Sequence, residues 1–93
     1  MNALSILLEA RVPQRGCHRA YGIEVGQDLF GVWVVEMTYG RIGTAGHTKV
    51  RSFPALADAR RQVEACLRKR ATAPRRIGVA YQIIRFRQSG DRP

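Results

Sequence analysis

Acidic side chains are scarce in this sequence. Seven Asp and Glu stand against sixteen Lys and Arg in 93 residues, a formal charge of +9 at neutral pH. A surface so poor in carboxylates presents a positive field to polyanions, which makes nucleic acid the first partner class to consider, ahead of an acidic protein or a membrane surface. Cysteine is rarer still. Cys17 and Cys66 stand far apart without a C-x-x-C, so no disulfide framework is expected and a reducing cytosol fits. Cys17 adjoins His18 and the other histidine is His47, but the ligand spacing of a structural zinc site is missing, and no metal or other cofactor is expected. Long apolar runs are missing too. ALSILLEA near the N-terminus is short, follows no basic residue and alternates like a strand, whereas a membrane span needs roughly 18 apolar residues. The expectation is a cytoplasmic protein with no signal peptide and no membrane segment.

What is present fits one domain. Hydrophobic residues make up 45% and charged ones 25%, enough for a small core and no second one. Leu4, Ile6, Leu8, Ala10 and Val12 share one parity before Pro13 and Gly16, which gives a first strand. Tyr21, Ile23 and Val25 alternate within a second, from about Arg19 to Val25, and Gly26-Gln27-Asp28 turns the chain. A third begins near Phe30 and carries Trp33, Val35, Met37 and Tyr39 on its inward parity. That parity assigns Trp33 to the core. After Gly46, HTKVRSF forms a fourth strand with His47, Lys49 and Arg51 on one side. The period then changes. Leu56, Ala59, Val63, Cys66 and Leu67 recur at helical spacing, with Pro54 as the start and Pro74 as the stop. A last strand is expected from about Gly78 to Phe86. The order β-β-β-β-α-β predicts an α+β fold: a twisted antiparallel sheet with one amphipathic helix packed on one face. The domain is expected to span residues 1–88, with residues 89–93 a flexible tail.

Two features point towards a site. Between Ala55 and Arg76, seven basic residues (Arg60, Arg61, Arg68, Lys69, Arg70, Arg75, Arg76) oppose only Asp58 and Glu64, so the charge is regional. Arg68, Lys69 and Arg70 also suit the negative end of the helix dipole. The second feature is TYGRIGTAGHTKV, with glycine at 40, 43 and 46. Gly46 suits the positive-φ position of a hairpin loop, while Gly40 and Gly43 within strand pattern suggest a bulge or the close approach of another backbone. A glycine beside Arg41 would let sugar and phosphate come near the main chain, where a guanidinium can bind phosphate with two hydrogen bonds.

Beyond these local readings, TYGRIGTAGHTKVRSF, preceded by DLFGVWVVE and followed by the helix with Ala59, resembles the WGR domain. This is a small module named for a Trp-Gly-Arg triplet and found in poly(ADP-ribose) polymerases and in short bacterial proteins. The likeness runs from about Tyr21 to Arg70, and the triplet falls on Tyr39, Gly40 and Arg41. It implies an antiparallel sheet carrying one helix and a role in DNA binding, especially at strand ends or breaks. Tyr39 replaces the naming tryptophan, which in the family packs against nucleic-acid sugar; a tyrosine keeps a flat apolar face of smaller area. Gly78 and Tyr81 only roughly occupy the places of the family's closing Gly-Tyr pair. No ADP-ribosyl transferase region fits into 93 residues, so polymerase activity is not carried over.

Catalysis finds little support. Glu24, Glu36, Asp58 and Glu64 show no pairing distance in sequence, and Gly43-x-x-Gly46 followed by His47 is not a phosphate-loop signature. The expected function is a non-catalytic module that recognises DNA backbone or strand ends with little sequence specificity, with RNA an open alternative partner. The expected contacts are Tyr39, Gly40, Arg41, Gly43, Lys49, Arg51, Arg60 and Arg61. The competing expectation is an adaptor that docks an acidic protein through the same basic face.

Overall fold

The computed structural model describes residues 2–88. Alternating side chains build the five strands β1 (Asn2–Val12), β2 (Cys17–Gln27), β3 (Trp33–Arg41), β4 (His47–Phe53) and β5 (Gln82–Gln88). They form one antiparallel sheet in the order β4-β3-β2-β1-β5, so the last strand in the chain lies beside the first. The expected α+β architecture is observed. The expected tail, residues 89–93, lies outside the described residues.

The turns explain where strands begin. A 3-10 turn over Pro13–Arg15 closes on Gly16 in the left-handed region at φ 67° and joins β1 to β2. Between β2 and β3 the Asp28 carboxylate accepts hydrogen bonds from the backbone N–H groups of Phe30 (2.8 Å) and Val32 (3.0 Å). The third strand therefore starts at Trp33 rather than near Phe30, because Asp28 claims the amides that would have entered the ladder. Leu29 and Phe30 look like strand residues in the sequence, yet they ride on the loop at 99% and 89% exposure.

Helix α1 (Leu56–Ala71) covers one face of the sheet, and a short helix α2 (Ala73–Ile77) follows it. Ala59, Val63 and Cys66 on α1 pack against Ile6, Leu8, Tyr21, Ile23, Val25, Val35 and Met37. Ala59 is fully excluded from solvent. Its small side chain lets the helix sit close on the sheet, where Ile23 and Val35 are also sealed. α1 ends where the sequence predicts, but Pro74 does more than stop it. It stands in the first turn of α2, where a missing N–H costs nothing, and Gly78 caps that helix at φ 77° with its N–H on the Pro74 carbonyl at 3.0 Å. The sequence does not predict this second helix, and β5 starts at Gln82 rather than near Gly78. Among the described residues no helix is long and apolar enough to cross a membrane.

Candidate nucleic-acid interface

Strand register decides which basic residues meet. Arg19 on β2 lies directly across from Arg41 on β3, and the row behind them is Tyr21, Tyr39 and His47 on β2, β3 and β4. Met37 pairs with Lys49 and Val35 with Arg51. Because Tyr21, Val35 and Met37 face the helix, the alternation puts Arg19, Arg41, His47, Lys49 and Arg51 on that same face.

α1 covers only part of this surface. Its start lies near Val25 and Trp33, and its last turn brings Arg70 over Tyr21, with the guanidinium carbon 4.0 Å from the ring centroid. Beyond Arg70 the sheet continues uncovered. A groove of about 500 Å³ opens there, bordered by Cys17, Arg19, Tyr39, Arg41, Arg70 and Tyr81. A second groove of about 380 Å³ runs between α1 and β4, bordered by Tyr39, Lys49, Arg51, Gln62, Lys69 and Arg70. The two share Tyr39 and Arg70. Among the described residues no carboxylate borders either groove, and none pairs with Arg19, Arg41, Lys49, Arg51 or Arg70.

The rings give the site a rigid floor. Tyr21 and Tyr39 stack with centroids 6.3 Å apart and planes 27° apart, and Tyr39 meets the His47 ring at 5.8 Å. Tyr21 is buried, whereas Tyr39 remains partly open to solvent. Burial, with the Cys66 thiol next, pushes the Tyr21 phenol well above its ordinary pKa; Arg70 opposes the shift without cancelling it. Tyr21 therefore stays neutral, and Arg70 adds a cation–π contact worth about 1 kcal/mol. The Arg70 Nε atom is buried and finds no hydrogen-bond partner among the described residues, an unusual state for a buried donor.

The glycine-rich stretch is the turn at the rim of these grooves. The Arg41 carbonyl accepts the Thr44 N–H at 3.1 Å and the Thr44 hydroxyl at 2.7 Å, while the Ile42 N–H donates to the His18 carbonyl at 2.9 Å. The expected bulge is absent. The β2–β3 register runs without a shift through Tyr39, Gly40 and Arg41, and the β3–β4 ladder ends at Tyr39 and His47. What the glycines provide is close approach within the hairpin. A Cβ on Gly46, at φ 68°, would stand 2.5 Å from the Tyr39 carbonyl oxygen, and one on Gly40 would stand 2.8 Å from the Gly46 Cα. Gly43 meets nothing and takes φ 89°, which any bulkier residue would resist.

The structure thus brings together Tyr39, Gly40 and Arg41 in the first groove and Tyr39, Lys49 and Arg51 in the second, with Gly43 on the adjoining turn. It does not bring Arg60 and Arg61 there. Arg61 forms an ion pair with Asp58, and Arg60 borders a different, apolar groove on the other side of α1. Arg19, Arg70 and Tyr81 were not among the expected contacts, although Arg70 stands in the basic run that points towards a site. Arg19 could have been found from its parity with Tyr21, but its position opposite Arg41 needs the register.

The WGR domain family model matches residues 4–73, and the chain belongs to that family. The matched span is longer than the likeness visible in the sequence, and includes most of β1. WGR domains are nucleic-acid-binding modules. No curated protein matches the chain.

Proposed function

We propose that this WGR domain is a non-catalytic module that binds the DNA backbone or strand ends through its two joined grooves, with little base specificity. The observation that carries the reading is the run of unpaired cations, Arg19, Arg41, Arg70, Lys49 and Arg51, along grooves that no described carboxylate borders. Arg19 and Arg41 sit side by side across a strand pair, so two guanidiniums can take one phosphate or two consecutive ones. Lys49 and Arg51 continue the track along β4. Tyr39 lies where the grooves join and offers its partly exposed ring to a sugar or an end base. Contacts of this kind set position and affinity but carry no base sequence. RNA shares the phosphate chemistry and is separated from DNA only by contacts to its 2′-hydroxyl.

Titration of fluorescent DNA by anisotropy across a range of salt tests the reading. If about five phosphates are neutralised, log affinity falls against log salt with a slope of roughly −4 to −5 on duplex, and Arg41→Ala flattens it by about one unit. Blunt, nicked and single-stranded DNA run beside heparin separate shape recognition from bare charge. Tighter binding to ended DNA than to heparin supports the proposal. An affinity indifferent to salt, or equal weak binding to all four, overturns it and returns the basic face to docking an acidic protein.

A further inference from the structure

On the other side of α1 the chemistry inverts. Leu4, Ile6, Trp33, Leu56, Leu67 and Phe86 border an apolar groove of about 420 Å³ between the helix and the β1–β5 end of the sheet. β5 forms its outer wall. Among the described residues β1 is the only strand that pairs with β5, so the outer row of β5 backbone N–H and C=O groups has no ladder partner. Ile83, Ile84 and Phe86 are 66%, 52% and 57% exposed on this seven-residue strand. Register sorts the remaining side chains. Phe86 lies across from Ile6 and Ile83 from Leu8, on the groove side, while Arg85 lies across from Leu7 and Arg87 from Ser5, on the opposite face.

An open strand edge beside an apolar groove is the geometry of β-strand addition, in which backbone hydrogen bonds supply affinity and alternate side chains supply selection. Charge decides the occupant. A second copy paired antiparallel through β5 would bring its own Arg85 and Arg87 onto the face that already carries these two, and like charges across a strand pair are destabilising. The formal charge of +9 on each chain adds to that repulsion. An incoming strand with carboxylates on that face meets the reverse situation: Arg85 and Arg87 outnumber Glu24, the one carboxylate bordering the groove they share, and neither forms an ion pair with a described carboxylate.

We propose that the free edge of β5 is a docking site for an extended segment of another protein that alternates apolar and acidic residues. Its apolar side chains enter the groove beside Phe86 and its carboxylates meet Arg85 and Arg87. The site lies across α1 from the grooves that carry Lys49 and Arg51, so it stands independently of the nucleic-acid reading.

A labelled peptide of alternating Glu and Val, blocked at both termini, is the probe for the full chain. Three results are expected: saturable binding, little binding of a Lys-Val counterpart, and little binding of a peptide of the same composition with its Glu and Val in two blocks. The double variant Arg85→Glu/Arg87→Glu should weaken the Glu-Val peptide by at least about ten-fold, while Arg41→Ala leaves it unchanged. Both arginines are exposed, so the variant should keep the circular dichroism and melting curve of the parent; Phe86→Ser, which removes the groove-side anchor, should weaken binding as well. Equal binding of alternating and blocked peptides, insensitivity to the Arg85/Arg87 reversal, or no binding at all overturns the proposal. So does a dimer in sedimentation equilibrium that Phe86→Ser dissociates, which would make a second copy the occupant.

Discussion

Helix α1 divides one face of one sheet into unlike halves. Towards β4 the helix and strands present Lys49, Arg51, Lys69 and Arg70 around a partly open tyrosine; towards β5 they present Leu67, Trp33, Ile83 and Phe86. Both halves arise from the same alternating patterns, and the difference comes from which strand lies at which edge. β4 is polar on the helix side because its odd positions are His47, Lys49 and Arg51, whereas β5 offers Ile83 and Phe86 there. The acids are sorted as well. Glu9, Glu24 and Glu36 carry the opposite parity and lie on the far face of the sheet, where Glu9 holds Arg11 at 2.9 Å and Glu24 accepts the Ser5 hydroxyl at 2.6 Å. Net charge alone would make the whole surface equally attractive to polyanions. The fold instead gathers Arg19, Arg41, Arg70, Lys49 and Arg51, none of them in an ion pair with a described carboxylate, on one side of one helix.

Reversing charge on the β4 side should have the largest effect. Arg19→Glu/Arg41→Glu is expected to lower DNA affinity by at least about 60-fold near 0.1 M salt, since each lost phosphate contact there is worth roughly eight-fold. Arg85→Glu/Arg87→Glu in the same titration should change it far less, and an equal loss from both would erase the distinction between the halves. Next comes the turn that shapes the basic half. Gly46→Ala places a methyl group against the Tyr39 carbonyl at a left-handed φ, and should cost about 2 kcal/mol in urea unfolding. Unaltered stability would mean that the hairpin adjusts freely and that the glycines are not needed for its close approach. The smallest expected effect sharpens the boundary. Arg60→Ala removes a cation from the apolar side, and DNA affinity should stay within about two-fold, against the roughly eight-fold loss expected if it touched a phosphate.

How much of this was legible beforehand depended on how local the cause was. HTKVRSF was read as a strand with the bounds it has, because Gly46 and Pro54 bracket a clean alternation. The single helix on one face followed from a change of period at Leu56. The start of β3 was misread because Leu29 and Phe30 have strand-like side chains, while the decisive interaction is a carboxylate at 28 that captures two amides. α2 was missed because a proline can begin a helix as readily as end one. Within the proposed interface, Tyr39, Arg41, Lys49 and Arg51 can be named from motif and parity. Arg19 and Arg70 could not be tied to them, since one depends on register with a strand 22 positions away and the other on a helix laid across the sheet. Of the two readings of Gly40, a bulge or the close approach of another backbone, the register excludes the first and the contact with Gly46 bears out the second.

The pairing of Leu4 with Gln88 places the outgoing chain beside the incoming one, at the end of β1 opposite Val12 and Cys17. Arg19 lies across from Ala10, so Leu4 and Gln88 stand about 20 Å along the strand from the cationic rim around Arg19 and Arg41. A reporter dye or fused polypeptide carried beyond Leu4 or Gln88 would therefore leave the described chain at the end away from the proposed interface.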